Sequence, residues 1–189
     1  MGKVDLKTKE YFKDTKRYAD LWNVVIYGGE RIIKPDALTP VDSTSISLTQ
    51  FGDKQVTNDN VMQWRDKYLR VLVQENQDYI DYRMVIRNML TESIMYDNQY
   101  KELVRFHREN KDLKEDEFLT GISKDDKFTP VITLAVNLSN NKWDAATELH
   151  SLLDIEDDPA VKNMITNYRL NLFDYHDYDS FDEFQTELK

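Results

Sequence analysis

The chain of 189 residues contains no cysteine, which excludes a disulfide framework and any thiolate-bound zinc. Histidine is scarce too. His107, His150 and His176 stand far apart, none at the H-x-x-x-H spacing of a metal pair, and each reads as a structural or surface residue. No apolar run approaches the roughly twenty residues of a membrane span and there is no signal-peptide segment, so the simplest compartment is the cytoplasm, with no membrane partner. A basic stripe is also missing. Lys plus Arg and Asp plus Glu number 17 each through Asn110; from Lys111 onward they number 8 and 18, so the whole net charge of −10 lies in the C-terminal part. That balance argues against stand-alone affinity for a phosphate backbone, although the neutral first part leaves room for a local basic groove. What the chain does have is material for a core: 40% apolar residues, with eleven Tyr, eight Phe and three Trp, enough for one ordinary domain.

Phe12, Ala19, Trp22 and Ile26, with Tyr18, Leu21 and Val25, recur at three- and four-residue spacing and predict a helix over 8–27, stopped by Gly28-Gly29. Arg31 to Lys34 is a short strand candidate ended by Pro35. Residues 36–60, rich in Thr, Ser, Asp and Asn, read as a loop or weak strand pair. A long helix is expected over Met84 to Asn110, with Ile86, Met89, Leu90, Ile94, Leu103 and Val104 as its buried stripe. Lys111 to Lys127 is charged and irregular. Pro130 to Leu138 is the β-branched run of a buried strand. A short helix over Trp143 to Leu153, a helical turn over 161–167 and a strand over Tyr168 to Phe173 follow, and Ser180-Phe-Asp-Glu183 has the form of a capping box opening a last helix. The order implies an α/β fold, a small mixed sheet flanked by helices.

Residues 64–77, W-R-D-K-Y-L-R-V-L-V-Q-E-N-Q, carry a carboxylate pair beside an apolar run and just ahead of the long helix. Read as an antiparallel hairpin turning at Arg70-Val71, the stretch sets Asp66 opposite Glu75, with Tyr68, Val73 and Gln77 on the same face. Two adjacent carboxylates on a rigid sheet suit a hard divalent cation. Arg70-Val71 is a poor two-residue turn, however, and Val61, Trp64, Tyr68, Val71 and Leu72 also fit helical spacing. In a helix, nine positions at about 100° each put the two acids on opposite faces. Both readings stay open. Arg83 and Arg87, four apart near the start of the long helix, suit phosphate contact.

The order and spread of several segments resemble the PD-(D/E)XK nuclease superfamily, in particular its recombination-promoting nuclease/putative transposase family. They are M-G-K-V-D-L-K-T-K-E-Y-F at 1–12, R-Y-A-D-L-W-N at 17–23, W-R-D at 64–66, E-N-Q-D-Y-I-D-Y at 75–82, M-V-I-R at 84–87, D-E-F-L-T-G-I at 116–122, and P-V-I-T-L with W-D at 130–134 and 143–144. The resemblance implies a restriction-endonuclease-like core over 1–175, followed by the start of a C-terminal helical region, 176–189, that relatives continue. It implies a metal-dependent DNA endonuclease with Asp66, Glu75 and Gln77 as catalytic residues. Mg²⁺ or Mn²⁺ would sit on Asp66 and Glu75, joined by Asp20 from the first helix. DNA is the implied partner, and a homodimer is compatible with it. Relatives have a longer stretch between the Asp and the E-x-Q, so the shortened spacing equally suits an inactive nuclease-fold protein acting as an interaction module.

Overall fold

The computed structural model describes residues 3–41, 60–65, 69–155 and 158–186. Where the apolar periodicity predicts one helix over 8–27 there are two, α1 (Lys3–Tyr11) and α2 (Thr15–Tyr27). Asp14 makes the break. Its carboxylate accepts the Lys16 N–H at 2.8 Å, an N-cap that competes with continuing the helix. At the other end Gly28 adopts a φ of 59°, and the N–H groups of Gly28 and Gly29 return to the Val24 and Asn23 carbonyls at 3.1 Å each, the stop that the glycine pair predicts. Residues 31–34 do not form the expected strand, because the Asn23 carboxamide takes their backbone: Nδ2 donates to the Ile33 carbonyl at 2.9 Å, and the Ile33 N–H donates to Oδ1 at 2.7 Å.

Five strands form one sheet in the spatial order β1 (Leu38–Pro40), β2 (Asn60–Arg65), β3 (Leu69–Gln77), β4 (Val131–Asn137) and β5 (Leu172–Asp174). The first three are antiparallel neighbours and the last three run parallel. A parallel pair needs a long crossover, supplied between β3 and β4 by α3 (Met84–Asn110) with the shorter α4 (Glu115–Thr120). Between β4 and β5 the chain makes only a 3-10 turn, Leu149–Leu152, and α5 (Pro159–Met164), so the short helix expected over 143–153 is reduced to its last turn.

Side-chain alternation puts the two core layers on opposite sides of the sheet. Leu72, Leu134 and Val136 pack with Tyr18, Leu21 and Trp22 of α2, while Val73 and Val131 pack with Ile94 and Met95 of α3. This is a mixed α/β fold with the sheet between helices. Those contacts also set the hairpin register, Val61 opposite Val73 and Met62 opposite Leu72, since a slip of one residue would turn every side chain to the wrong layer. Two readings of 64–77 fall as a result. Its described residues are strand, not helix, and Arg70 and Val71 are not a turn: they lie inside β3, paired with Trp64 and Gln63. Arg65 pairs with Leu69 across the antiparallel strands, and Asp66 and Tyr68 lie outside the described residues.

On α3 the sheet also decides the phase. The buried residues are Met84, Val85, Asn88, Thr91, Ile94, Met95 and His107, whereas Ile86, expected inside, is 42% exposed. The far end of α3 is fastened by His107, whose Nδ1 lies 2.7 Å from Asp112 Oδ1 and whose Nε2 lies 2.9 Å from Asp126 Oδ2. Residues 180–186 form no helix. Phe184 is buried against Phe173, and the Asp20 carboxylate accepts the N–H groups of Gln185 and Thr186 at 2.9 and 2.8 Å and the Thr186 hydroxyl at 2.7 Å. Tyr178, Phe181 and Phe184 of this tail pack into the main core.

Two predictions follow from these anchors. The buried Tyr18 hydroxyl donates to the Leu72 carbonyl at 3.0 Å and ties α2 to β3; Tyr18→Phe leaves that acceptor buried and should cost about 1–2 kcal/mol of unfolding free energy in a urea titration at unchanged m-value. His107 can donate to both carboxylates only as the imidazolium, and the hydrogen bond to Asp112, then that to Asp126, raise its pKa against the opposing effect of burial. A group raised on folding contributes its full stability below the unfolded histidine value, about 6.5, and loses it as pH rises through the folded value. The melting temperature should therefore fall as pH is raised through and above neutrality, and His107→Gln should be less stable at low pH with that slope flattened.

Candidate functional site

The carboxyl ends of the three parallel strands bring polar residues into one row: Gln77 pairs with Asn137, and Asn137 with Asp174. All three are buried. Ligands of open α/β sheets are taken at this edge, outside the strand ends. The Asn137–Asp174 half of the row is spent on the chain itself. Asn137 accepts from Ser139 and donates to the Asn141 carbonyl at 2.9 Å. Asp174 accepts the Trp143 N–H at 2.7 Å and the His176 N–H at 3.0 Å, with His176 Nδ1 at 2.7 Å. Burial pushes the Asp174 carboxyl up, but these donors outweigh it and hold the group below the usual carboxylate range. Their work is to shape the loop that follows β4.

The Gln77 half is different. Period-two alternation sends Glu75 and Gln77 to the α3 side of β3, where Val73 already packs on that helix. A six-residue connection, 78–83, then starts α3 so that Arg87, in its first turns, reaches back over the strand. Arg87 Nη2 donates to Glu75 Oε2 at 3.1 Å, and Nη1 donates to Asp81 Oδ2 at 3.0 Å and approaches Gln77 Oε1 at 3.5 Å. Glu75 is 2% exposed and the Arg87 side chain 33%, so the ion pair lies at the floor of the surface rather than on it.

Asp81 is the hub of the connection. It accepts the Arg83 N–H at 2.9 Å, an Asx turn that launches α3, and holds the Arg83 guanidinium through Nε at 3.0 Å and Nη2 at 3.2 Å. Burial raises the Asp81 carboxyl and is outweighed by the Arg83 side chain, the Arg83 backbone and Arg87, so the group stays below its ordinary range. Arg83 remains 76% exposed along its side chain.

Of the residues singled out in the sequence, Glu75, Gln77, Arg83 and Arg87 thus converge, although both arginines hold carboxylates. Asp20 does not join them. It lies on α2, which packs on the other layer of the sheet, and is engaged with Gln185 and Thr186. Asp66 lies outside the described residues; its described neighbour Arg65 pairs with Leu69, whereas Glu75 follows Gln74, the partner of Asn60. Among the described residues no group of three His, Cys, Asp or Glu could hold a metal ion. Glu75 and Gln77 offer oxygen atoms of the kind a hard cation takes, but both face Arg87, and the described residues bring no such group together. Sequence reasoning missed Asp81, whose signal was an Asp two residues ahead of an Arg at a helix start, the spacing of an Asx turn. It also missed Asn88, buried on α3 beside Arg87.

No family model, no curated protein and no solved structure matches this chain.

Proposed function

We propose that the chain is a metal-dependent DNA endonuclease of the recombination-promoting, transposase-associated type, built on a restriction-endonuclease-like core and working in the cytoplasm as a monomer or homodimer. The observation that carries this reading is the convergence, at the end of β3, of a buried carboxylate, a carboxamide two residues on and a guanidinium from the crossover helix. No helix among the described residues is long and apolar enough to cross a membrane.

Hydrolysis of a phosphodiester adds water at phosphorus, breaks one P–O bond and delivers a proton to the departing oxygen. A Mg²⁺ or Mn²⁺ ion, when bound, supplies charge neutralisation and a more acidic water. Glu75 is the residue here that would hold it. Gln77 cannot accept a proton near neutral pH, so its part is to position water or the scissile phosphate. Arg83 and Arg87 carry planar donor forks suited to phosphate oxygens, and Arg83 is the more exposed of the two.

One observation favours a second reading, a non-catalytic interaction module on the same fold: the Glu75 carboxylate already carries an arginine. Plasmid nicking in Mg²⁺ separates the two. The wild-type chain should nick, and Glu75→Gln should lose at least the roughly 10–100-fold that disturbing a metal's outer shell costs. Asp59→Asn probes for the second carboxylate, since Asp59 directly precedes Asn60, the partner of Gln74 next to Glu75, and Asp66→Asn, after Arg65 at the far end of β2, is the comparison variant. Nicking by Glu75→Gln at the wild-type rate, or none by the wild type, would leave the interaction module.

A further inference from the structure

We propose that the cavity between the end of α3 and α4 binds a small apolar carboxylic acid, with the apolar body packed against Val104, Leu113 and Phe118 and the carboxylate taken by Arg108 and Lys111.

The cavity measures about 480 Å³, within the roughly 300–1,000 Å³ that small-molecule ligands occupy. Val104, His107, Arg108 and Lys111 recur at the three- and four-residue spacing of one helix face and form one wall; Leu113 and Phe118 belong to the other. From Arg87 to His107 the helix rises about 30 Å, at about 1.5 Å per residue, so a ligand here is independent of any chemistry at Glu75.

The walls are held in place by the chain itself. The Tyr100 hydroxyl donates to the Thr120 carbonyl at 2.9 Å and fastens α4 to α3. One residue on, Gly121 adopts a φ of 79° and lies so near α3 that a Cβ there would meet Val104 Cγ2 at 2.9 Å. His107 then ties the chain on either side of α4, Asp112 at 2.7 Å and Asp126 at 2.9 Å. Lys111 is fixed by the left-handed cap of α3, with a φ of 53° and its N–H on the His107 carbonyl at 2.8 Å. A site built this way has little to order when a ligand arrives.

The lining says what fits. Its apolar part is unfinished, since Phe118 is 73% exposed beside Val104 and Leu113, and an apolar body laid on that ring would take both surfaces out of water. Its polar part is unfinished too. Both nitrogens of His107 are engaged, which makes the ring a wall and occupies Asp112 and Asp126. Arg108 and Lys111 are left with no carboxylate partner among the described residues. Two such cations beside an apolar cavity, on a chain of net charge −10, are complementary to one anionic head. The Arg108 fork matches the two oxygens of a carboxylate, and Lys111 adds a point charge. A neutral apolar molecule would leave both cations unused, and an anion without an apolar body would leave Phe118 uncovered.

Isothermal titration calorimetry of the full chain with sodium octanoate tests this, with 1-octanol and octyl phosphate as comparison ligands. The wild type, Arg108→Gln/Lys111→Gln and Phe118→Ala are titrated in parallel; all three substituted side chains are exposed, so the variants should keep the fold. Octanoate should bind the wild type at one saturable site. The double variant should weaken it by about fivefold or more through the lost ion pairs, and Phe118→Ala by about fivefold through the lost apolar contact. Binding of 1-octanol should be weaker than that of octanoate and the same in the wild type and the double variant. No saturable octanoate binding, binding that neither variant weakens, or 1-octanol bound as tightly as octanoate overturns the proposal. Octyl phosphate bound more tightly than octanoate overturns the carboxylate assignment. A dimer in sedimentation of the wild type that Phe118→Ala abolishes gives the surface to a second copy of the chain and overturns it as well.

Discussion

A charged carboxylate buried between a sheet and a helix is tolerated only with a cation at hand, and in this chain the pair Glu75–Arg87 meets that condition. The geometry around it is constrained from both sides. Glu75 must point to the α3 layer, which fixes the phase of β3, and Arg87 must lie over the strand end, which fixes where α3 begins. Asp81 satisfies the second requirement by turning the 78–83 connection through its hydrogen bond to the Arg83 N–H and by holding the far arm of Arg87. Removing Arg87 would strip Glu75 of this cation while Asp81 kept Arg83, whereas most ion pairs of the surface, such as Lys101–Asp97, could be lost with little effect.

The sheet explains why this pair can sit at a functional edge. Two antiparallel strands on one side and two parallel strands on the other flank β3, so β3 is shielded on both faces and both edges. Its residues are correspondingly buried from Leu72 to Gln77, and a polar run, Gln74 to Gln77, is carried into the interior at its end. Polar groups so placed have to be satisfied or used. Gln74 gives its Nε2 to Asn76 Oδ1 at 2.7 Å on the α2 side, while Glu75 and Gln77 are met by Arg87 on the α3 side. The neighbouring strand ends, Asn137 and Asp174, are consumed in shaping the loops, so the β3 end is where the row meets a helix instead.

Much of the architecture was legible where a single period dominates. The α3 bounds, Met84–Asn110, agree with the helical pattern, and β4 lies within the β-branched run from Pro130 to Leu138. The hairpin was harder. With both faces of β2 and β3 buried, apolar residues fall at every spacing, and neither a helix nor a turn position can be told from periodicity alone. The register came instead from packing, Met62 and Leu72 against one layer and Val61 and Val73 against the other. The helix split at Asp14 and the Asn23 clasp on Ile33 are local side-chain competitions that hydropathy does not register. Glu75, Gln77, Arg83 and Arg87 could be picked as chemical types, but that the arginines would grip Glu75 and Asp81 depends on the length of the 78–83 connection. The same holds for Asp20, a mid-helix acid whose partners lie some 165 residues away at Gln185 and Thr186.

The charges at the site connect these points to the missing basic stripe. Glu75 and Asp81 against Arg83 and Arg87 give a formal sum of zero, so as it stands the β3 end presents no net field to an anionic polymer, and the rest of the chain, at −10, is repulsive. A protein that engaged nucleic acid through fixed lysines and arginines would show its affinity at all times. On the proposed reading, attraction for a phosphodiester would have to come from a local group, the largely exposed Arg83 fork beside Asp81, and not from the field of the whole chain.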